Sequence, residues 1–413
     1  MARWRPIHLI ILLWFVVSLI FIARRYIAPF RGSFDLPGLR HVPVEGHDES
    51  VLREASIEHA SNSTLGFHAI YYINMKARYD RSDAASLQAY IFGLNLHAYP
   101  GVEPDMTGTV GMPPTHRPSA LKIGEKGSWR AHVNVWAEMV RNKLPPVLIM
   151  ESDATWDINV RPIMGNLNKH FVEFLRHINS TPVHDPSWGG KENHHHPHTA
   201  SPPPPTPPLP IPYTPTDPWL NTHWDPLSLG HCYEHPPQDK KEPHLIYPDP
   251  SVPLGNSYFG LPLGHERVIR RWGGITCTTA YALSHTGAAK LLLCSAVDLD
   301  NPADLLIRRL TLSGGLVAYS VSPPVVAQWV YRRGVGMGGA QSDVHGAGGD
   351  GEQQDMPGDV GMLGWEEVGR TGTVWGYYYE NVTFDKMALG VVWREIMGGA
   401  VLADSWYDTE SGN

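Results

Sequence analysis

The first 25 residues carry the strongest hydrophobic pattern in the chain. From Ile7 to Ala23 the run IHLIILLWFVVSLIFIA is apolar except at His8 and Ser18, and Arg24 and Arg25 close it. A run of about 17 residues is at the short end for a membrane-spanning helix and suits a thin bilayer. No small-residue cleavage site follows it, so it reads as an uncleaved signal anchor behind a short tail, residues 1–6. Residues 24–65 mix Pro, Gly and charge without a period, as expected of a stalk. The folded part is expected over 66–413.

There, FHAIYYIN (Phe67 to Asn74) predicts a buried strand. Ser82 or Asp83 is positioned to cap a helix in which Leu87, Tyr90, Ile91 and Leu94 form one apolar stripe. A second helix, from about Lys126 to Lys143, puts Trp129, Val133, Trp136 and Val140 on one face, and Pro145 and Pro146 end it. VLIM (Val147 to Met150) predicts a fully buried strand that delivers Glu151, Ser152 and Asp153 at its carboxyl end. A third helix carries Ile163, Leu167, Phe171, Phe174 and Ile178.

Between about 182 and 218 the pattern gives way to HHHPH and PPPPTPPLPIP, a low-complexity insertion that cannot build a core. TAYALS (Thr279 to Ser284) predicts a strand leading into a helix capped by Ser284, and Asn301 with Pro302 marks a further helix start. LVAYSVSPPVVAQ supplies a late strand, and residues 334–361 form a Gly-rich loop. Strands alternating with helices indicate an α/β fold, a sheet with helices on both faces.

Composition narrows the function. With 33 basic against 41 acidic residues and a net charge of -8, no basic tract is present to neutralise phosphates, which excludes a nucleic-acid partner. Three cysteines, Cys232, Cys277 and Cys294, allow at most one intrachain bridge. Acceptor sequons at Asn62, Asn179 and Asn381 are meaningful only if the large C-terminal part enters a lumen, which favours a type II orientation. Glu151 and Asp153 stand two apart at a strand end, a place and a chemistry suited to Mg2+ or Mn2+ shared with phosphates.

Neighbouring segments share a further resemblance. INMKARYDR (Ile73 to Arg81), GSWRAHVNVW, VLIMESDATWD, AYALSHTGAAKLL and ADLLIRRL are similar, in order and spacing, to five blocks of glycosyltransferase family 25. WDPLSLGHC and the late QSDV resemble its fungal branch. The resemblance implies a GT-A-like nucleotide-sugar-binding sheet and inverting transfer of a sugar, galactose from UDP-galactose, to a glycan or glycoprotein hydroxyl. It implies a UDP-sugar donor bound near Asn74, Arg78, Asp80, Arg81, Trp129 and His132, and Mn2+ or Mg2+ on Glu151 and Asp153. It implies Asp304 as the base, with Asp300 and Asp298 behind it. The expected location is the Golgi or endoplasmic reticulum membrane, single-pass, with the catalytic domain luminal.

Other readings of these residues stay open. Arg78, Asp80 and Arg81 also fit a loop-locking network, Trp129 a core position, and Asp304 a helix cap. Ser152 stands where the family usually has an acid, and that departure keeps alive a catalytically silent sugar-binding or scaffold module.

Overall fold

The computed structural model describes residues 48–108, 111–117, 121–180, 183, 211–234, 242–332, 344, 368, 372–377, 384 and 386–398. The apolar run 7–23, most of the His/Pro insertion, the Gly-rich loop apart from Val344, and the sequon at Asn381 lie outside these residues. Among the described residues no helix is long and apolar enough to cross a membrane. The described residues all belong to one compact unit.

In chain order the first elements are α1 (Glu49–Ala60), β1 (Ile70–Asn74), α2 (Tyr79–Phe92), β2 (Leu96–Pro100), α3 (Ile123–Asn142), β3 (Val147–Glu151), β4 (Ala154–Trp156) and α4 (Val160–His177). A run of strands follows: β5 (Pro226–Gly230), β6 (Tyr233–Glu234), β7 (His244–Pro248), β8 (Ser257–Tyr258), β9 (Leu261–Pro262), β10 (Glu266–Arg271), β11 (Ile275–Thr276) and β12 (Ala280–Leu283). The chain continues through α5 (His285–Val297), α6 (Ala303–Leu312), β13 (Tyr319–Ser322), β14 (Val326–Tyr331), β15 (Trp375–Tyr377) and α7 (Ala388–Met397).

Eight strands form the main sheet in the order β2-β1-β3-β12-β5-β13-β10-β7. It is mixed: β1 lies parallel to β2 and β3, whereas β12 runs antiparallel to both β3 and β5. Its two faces are separate cores, and the pleat sorts residues between them. In β3, Leu148 and Met150 face a core with Phe171 and Phe174 of α4, together with Trp219 and Trp224. Val147 and Ile149 face the other, with Trp129, Val133 and Trp136 of α3, Leu291 of α5 and Leu306 of α6. A smaller sheet, β15-β14-β4, stands beside the end of β3.

Several boundaries depart from the sequence reading. The range expected as stalk contains α1, which packs on α4. The close approach needs Gly165, where a Cβ would meet Ile57 O at 3.2 Å. The Pro-rich insertion ends earlier than 218: Tyr213 is buried beneath the Arg176 guanidinium, 5.1 Å from its ring centroid. Helix α2 begins at Tyr79, ahead of Ser82, and buries Arg81, Ala84, Ala85 and Gln88 while Tyr90 is exposed. Small side chains let this helix sit close over β4, where Gln88 donates to Ala154 O (3.2 Å) and accepts from Thr155 Oγ1 (2.7 Å). Helix α6 starts at Ala303 with Pro302 in the cap position, and the late strand splits into β13 and β14 at Pro323 and Pro324.

Candidate active site

Strands β1 and β3 are parallel with Ile73 opposite Glu151, so both end at one edge and present Asn74 beside the Glu151–Asp153 triplet. Glu151 continues the row of Val147 and Ile149, which directs it to the α3 face. There Thr278 Oγ1 donates to Glu151 Oε1 (2.7 Å), and His132 Nε2 lies 3.7 Å from the same oxygen. His132 is held in turn by Tyr281: Nδ1 is 2.9 Å from its hydroxyl, which accepts from Trp136 Nε1 at 3.0 Å. A hydroxyl that accepts from Trp136 has its own proton for His132 Nδ1, which puts the proton of a neutral imidazole on Nε2, facing Glu151.

Asp153 is built differently. Arg81 reaches across from α2, with Nη2 3.3 Å from Asp153 Oδ2 and Nη1 donating to Ser152 Oγ at 3.3 Å. Trp329 N–H donates to Asp153 O (2.9 Å), which ties the triplet to β14. Burial pushes the Asp153 carboxyl up to about 6, against the pull of Arg81, and the charge of Glu151 adds to the rise. Burial acts the same way on Glu151, but the nearby His132 ring and the hydrogen bond from Thr278, with Arg81 close by, hold its carboxyl below the ordinary value.

These residues fit a hard divalent ion on a specific observation. Among the described residues no hydrogen-bond partner reaches the buried Asp153 Oδ1. A buried carboxylate oxygen left in that state is costly, and a bound cation would relieve it.

The other expected donor residues divide. Arg78 makes a two-point contact with Asp80 (2.9 and 2.8 Å), and Tyr331 Oη donates to Asp80 at 3.2 Å. The Arg78 bond, helped by that guanidinium's charge, holds Asp80 below the usual carboxylate range despite its partial burial. Asn74 Nδ2 donates to Arg78 O (3.2 Å), so this group braces the loop between β1 and α2 beside the triplet. His132 is in the site. Trp129 is not: it is 0% exposed within the α3-side core, as its helical spacing allows.

Asp304 is linked to Glu151 through two consecutive residues, Cys277 and Thr278. Its Oδ2 accepts the N–H of Cys277 (3.0 Å), the neighbour of Thr278, and its Oδ1 accepts from Leu305 N–H (2.8 Å). Asp298 and Asp300 stand apart, near His116 and Arg117. Three contributors escaped the sequence reading: Thr278, Gln328, whose side chain favours the charged form of Asp153, and Tyr281. Only Tyr281 carried any signal, through its place in the AYALS strand. Cys232 and Cys277 are disulfide-bonded and Cys294 is free.

Over 108 residues the chain is 29% identical to a Glycosyltransferase 25 family member of Drosophila melanogaster, a match covering 23% of this chain and 17% of that protein. No protein-family model matches the chain. The likeness is partial and agrees, at the level of family alone, with the resemblance drawn from the five blocks.

Proposed function

We propose that this chain is a metal-dependent inverting glycosyltransferase, a fungal-type relative of family 25, that moves galactose from UDP-galactose to a hydroxyl of a glycan or glycoprotein. The observation that carries this reading is the pair Glu151 and Asp153 at the carboxyl end of β3, one with a buried oxygen that no described residue partners. Ligands of open α/β sheets collect at such strand ends. Glu151 and Asp153 would hold Mn2+ or Mg2+, which when bound supplies positive charge against the diphosphate leaving group. Arg81 fixes Asp153, while Thr278 and His132 fix Glu151. In the transfer the anomeric carbon's bond to the diphosphate oxygen breaks as its bond to the acceptor oxygen forms. A carboxylate takes the hydroxyl proton, and we assign Asp304 to that role.

The same reading places the chain in the Golgi or endoplasmic reticulum membrane, type II, with the catalytic part luminal. The apolar run 7–23, the sequons and the Cys232–Cys277 bond, which suits an oxidising compartment, all support it.

One observation favours a second reading. Arg81 already sets a cation against Asp153, and Ser152 occupies a place the family gives to an acid. A silent sugar-binding or scaffold module fits that arrangement. Calorimetry of UDP with the detergent-solubilised full chain, with and without Mn2+, separates the two. Mn-dependent binding that a folded Glu151→Ala, Asp153→Ala variant loses supports the transferase. No UDP binding by the folded parent in either condition rejects the donor site and favours the silent module.

A further inference from the structure

We propose that the Cys232–Cys277 disulfide is a positioning clamp: it holds the loop after β11 in the one conformation that braces Asp304 and sets Glu151, and through Glu151 donor affinity. This rests on Glu151 and Asp153 being the donor-side carboxylates.

The bond joins the segment just past β5 to the residue just past β11, with Cα atoms 5.6 Å apart. Three consecutive residues on the Cys277 side reach the site. Cys277 N–H donates to Asp304 Oδ2 (3.0 Å), Thr278 Oγ1 donates to Glu151 Oε1 (2.7 Å), and Thr279 O accepts Glu151 N–H (3.0 Å). On the other side, Cys232 N–H donates to Thr276 O (3.1 Å), and its sulfur lies 3.4 Å from Oε1 of Gln328, the residue beside Asp153.

Cys277 itself has φ 65°, in the left-handed region that a residue with a Cβ avoids. The ladder that could hold it there is short, because β6 and β11 pair over two residues each. Without the bond, residue 277 is free to return to negative φ, which turns its amide from Asp304 and swings the Thr278 hydroxyl from Glu151. A dithiol reductant does this in the unmodified chain: it gives two electrons and two protons to the S–S bond, becomes a disulfide itself, and leaves Cys232 and Cys277 as thiols.

The test has two arms on the detergent-solubilised full chain. Hydrogen–deuterium exchange over 275–279, with no ligand present, compares oxidised parent, reduced parent, Cys232→Ala/Cys277→Ala and Cys232→Ala/Cys277→Gly. Calorimetry then reads the UDP–Mn2+ dissociation constant of each, with near-UV circular dichroism reporting the fold. Faster exchange and binding weakened by about tenfold or more are expected in the reduced and double-Ala forms. The Cys277→Gly form should recover part of the affinity, because glycine takes positive φ without penalty.

Exchange unchanged by cutting the bond overturns the clamp. So does affinity unchanged in a folded double-Ala variant, since a merely structural bridge would lower the melting temperature and leave the dissociation constant alone. Faster exchange in a chain whose oxidised parent never binds UDP refutes the donor reading and the affinity claim, and leaves the loop restraint standing.

Discussion

Replacing Lys290 by Met should destabilise the protein by about 3 kcal/mol. Lys290 Nζ lies 2.6 Å from Asp225 Oδ2, with Asp225 fully buried and the lysine side chain 16% exposed. Met keeps the length and apolar stem of the side chain and removes the ammonium. Stranding one member of a buried pair costs about 3–5 kcal/mol. The low end applies here, because Asp225 Oδ2 keeps the Val317 N–H (2.8 Å) and the lysine has some solvent. In a large domain about 1 kcal/mol shifts the melting temperature by about 2 °C, so it should fall by about 6 °C. Scanning calorimetry with urea titration followed by near-UV circular dichroism reads both quantities. The companion Asp225→Asn, Lys290→Met should recover at least half of the loss, since no charge is then stranded. A Lys290→Met protein within about 0.5 kcal/mol of the parent would refute the account.

Asp304→Asn separates base from bracket: loss of turnover with unchanged UDP–Mn2+ affinity identifies a base, whereas weakened affinity in a folded variant identifies a residue that only holds the Cys277 loop. Thr278→Val removes a hydrogen bond to a carboxylate, worth about 1.5–3 kcal/mol, and should weaken UDP–Mn2+ binding about tenfold or more; unchanged calorimetric affinity would deny the hydroxyl that role. Acid titration should expose two opposed groups. Burial lowers His223 from 6.5 to about 4, so the unfolded chain takes up this proton first and stability falls as pH drops from 6.5 towards 4. Burial raises Asp217 from 3.8 to about 6, so the folded chain is protonated first and stability rises as pH drops from 6 towards 3.8. Urea midpoints at pH 4 to 7 should therefore slope more steeply downward on acidification in Asp217→Asn, and turn upward in His223→Asn; parallel profiles for parent and both variants would remove these assignments.

What the sequence disclosed follows from how strongly each residue's neighbours along the chain share its environment. Helices α3 and α4 and strand β3 are buried along whole faces, so Trp129, Trp136, Phe171 and the VLIM run wrote their period plainly. Helix α2 misled because it buries Ala84, Ala85 and Gln88, small or polar residues that leave no apolar stripe. Helix α1 was hidden by its charged outer face, with only Ser56 and Ala60 buried. The antiparallel insertion of β12 between β3 and β5 is a long-range pairing that no local pattern encodes. At the site, Glu151 and Asp153 were visible because they end a hydrophobic run, and Arg81 and His132 because they sit in recognisable blocks. Thr278 and Gln328 are single polar residues whose partners lie far away in sequence, and nothing nearby in the chain marks them. The blocks themselves proved mixed in role: Gly287 and Lys290 serve a bracket to Asp225, where a Cβ at Gly287 would meet Asp225 O at 2.8 Å, while AYALS contributes Tyr281 to the site.

The row Val147, Ile149, Glu151 gives the chain an unusual sensitivity to length. A polar group on a loop tolerates a residue gained or lost upstream, because the loop absorbs it. Glu151 instead inherits its facing from the pleat of β3, with Leu148 and Met150 committed to the opposite core. Adding or deleting one residue between Val147 and Met150 would carry the carboxylate through the sheet, away from His132 and Thr278, and would turn two core rows inside out together. Insertions of any size at 182–210 leave that phase untouched. In this chain the tolerance for gaps is thus set by the parity of one strand, and divergent relatives that keep the chemistry should vary freely in loop length yet never in the residue count of that segment.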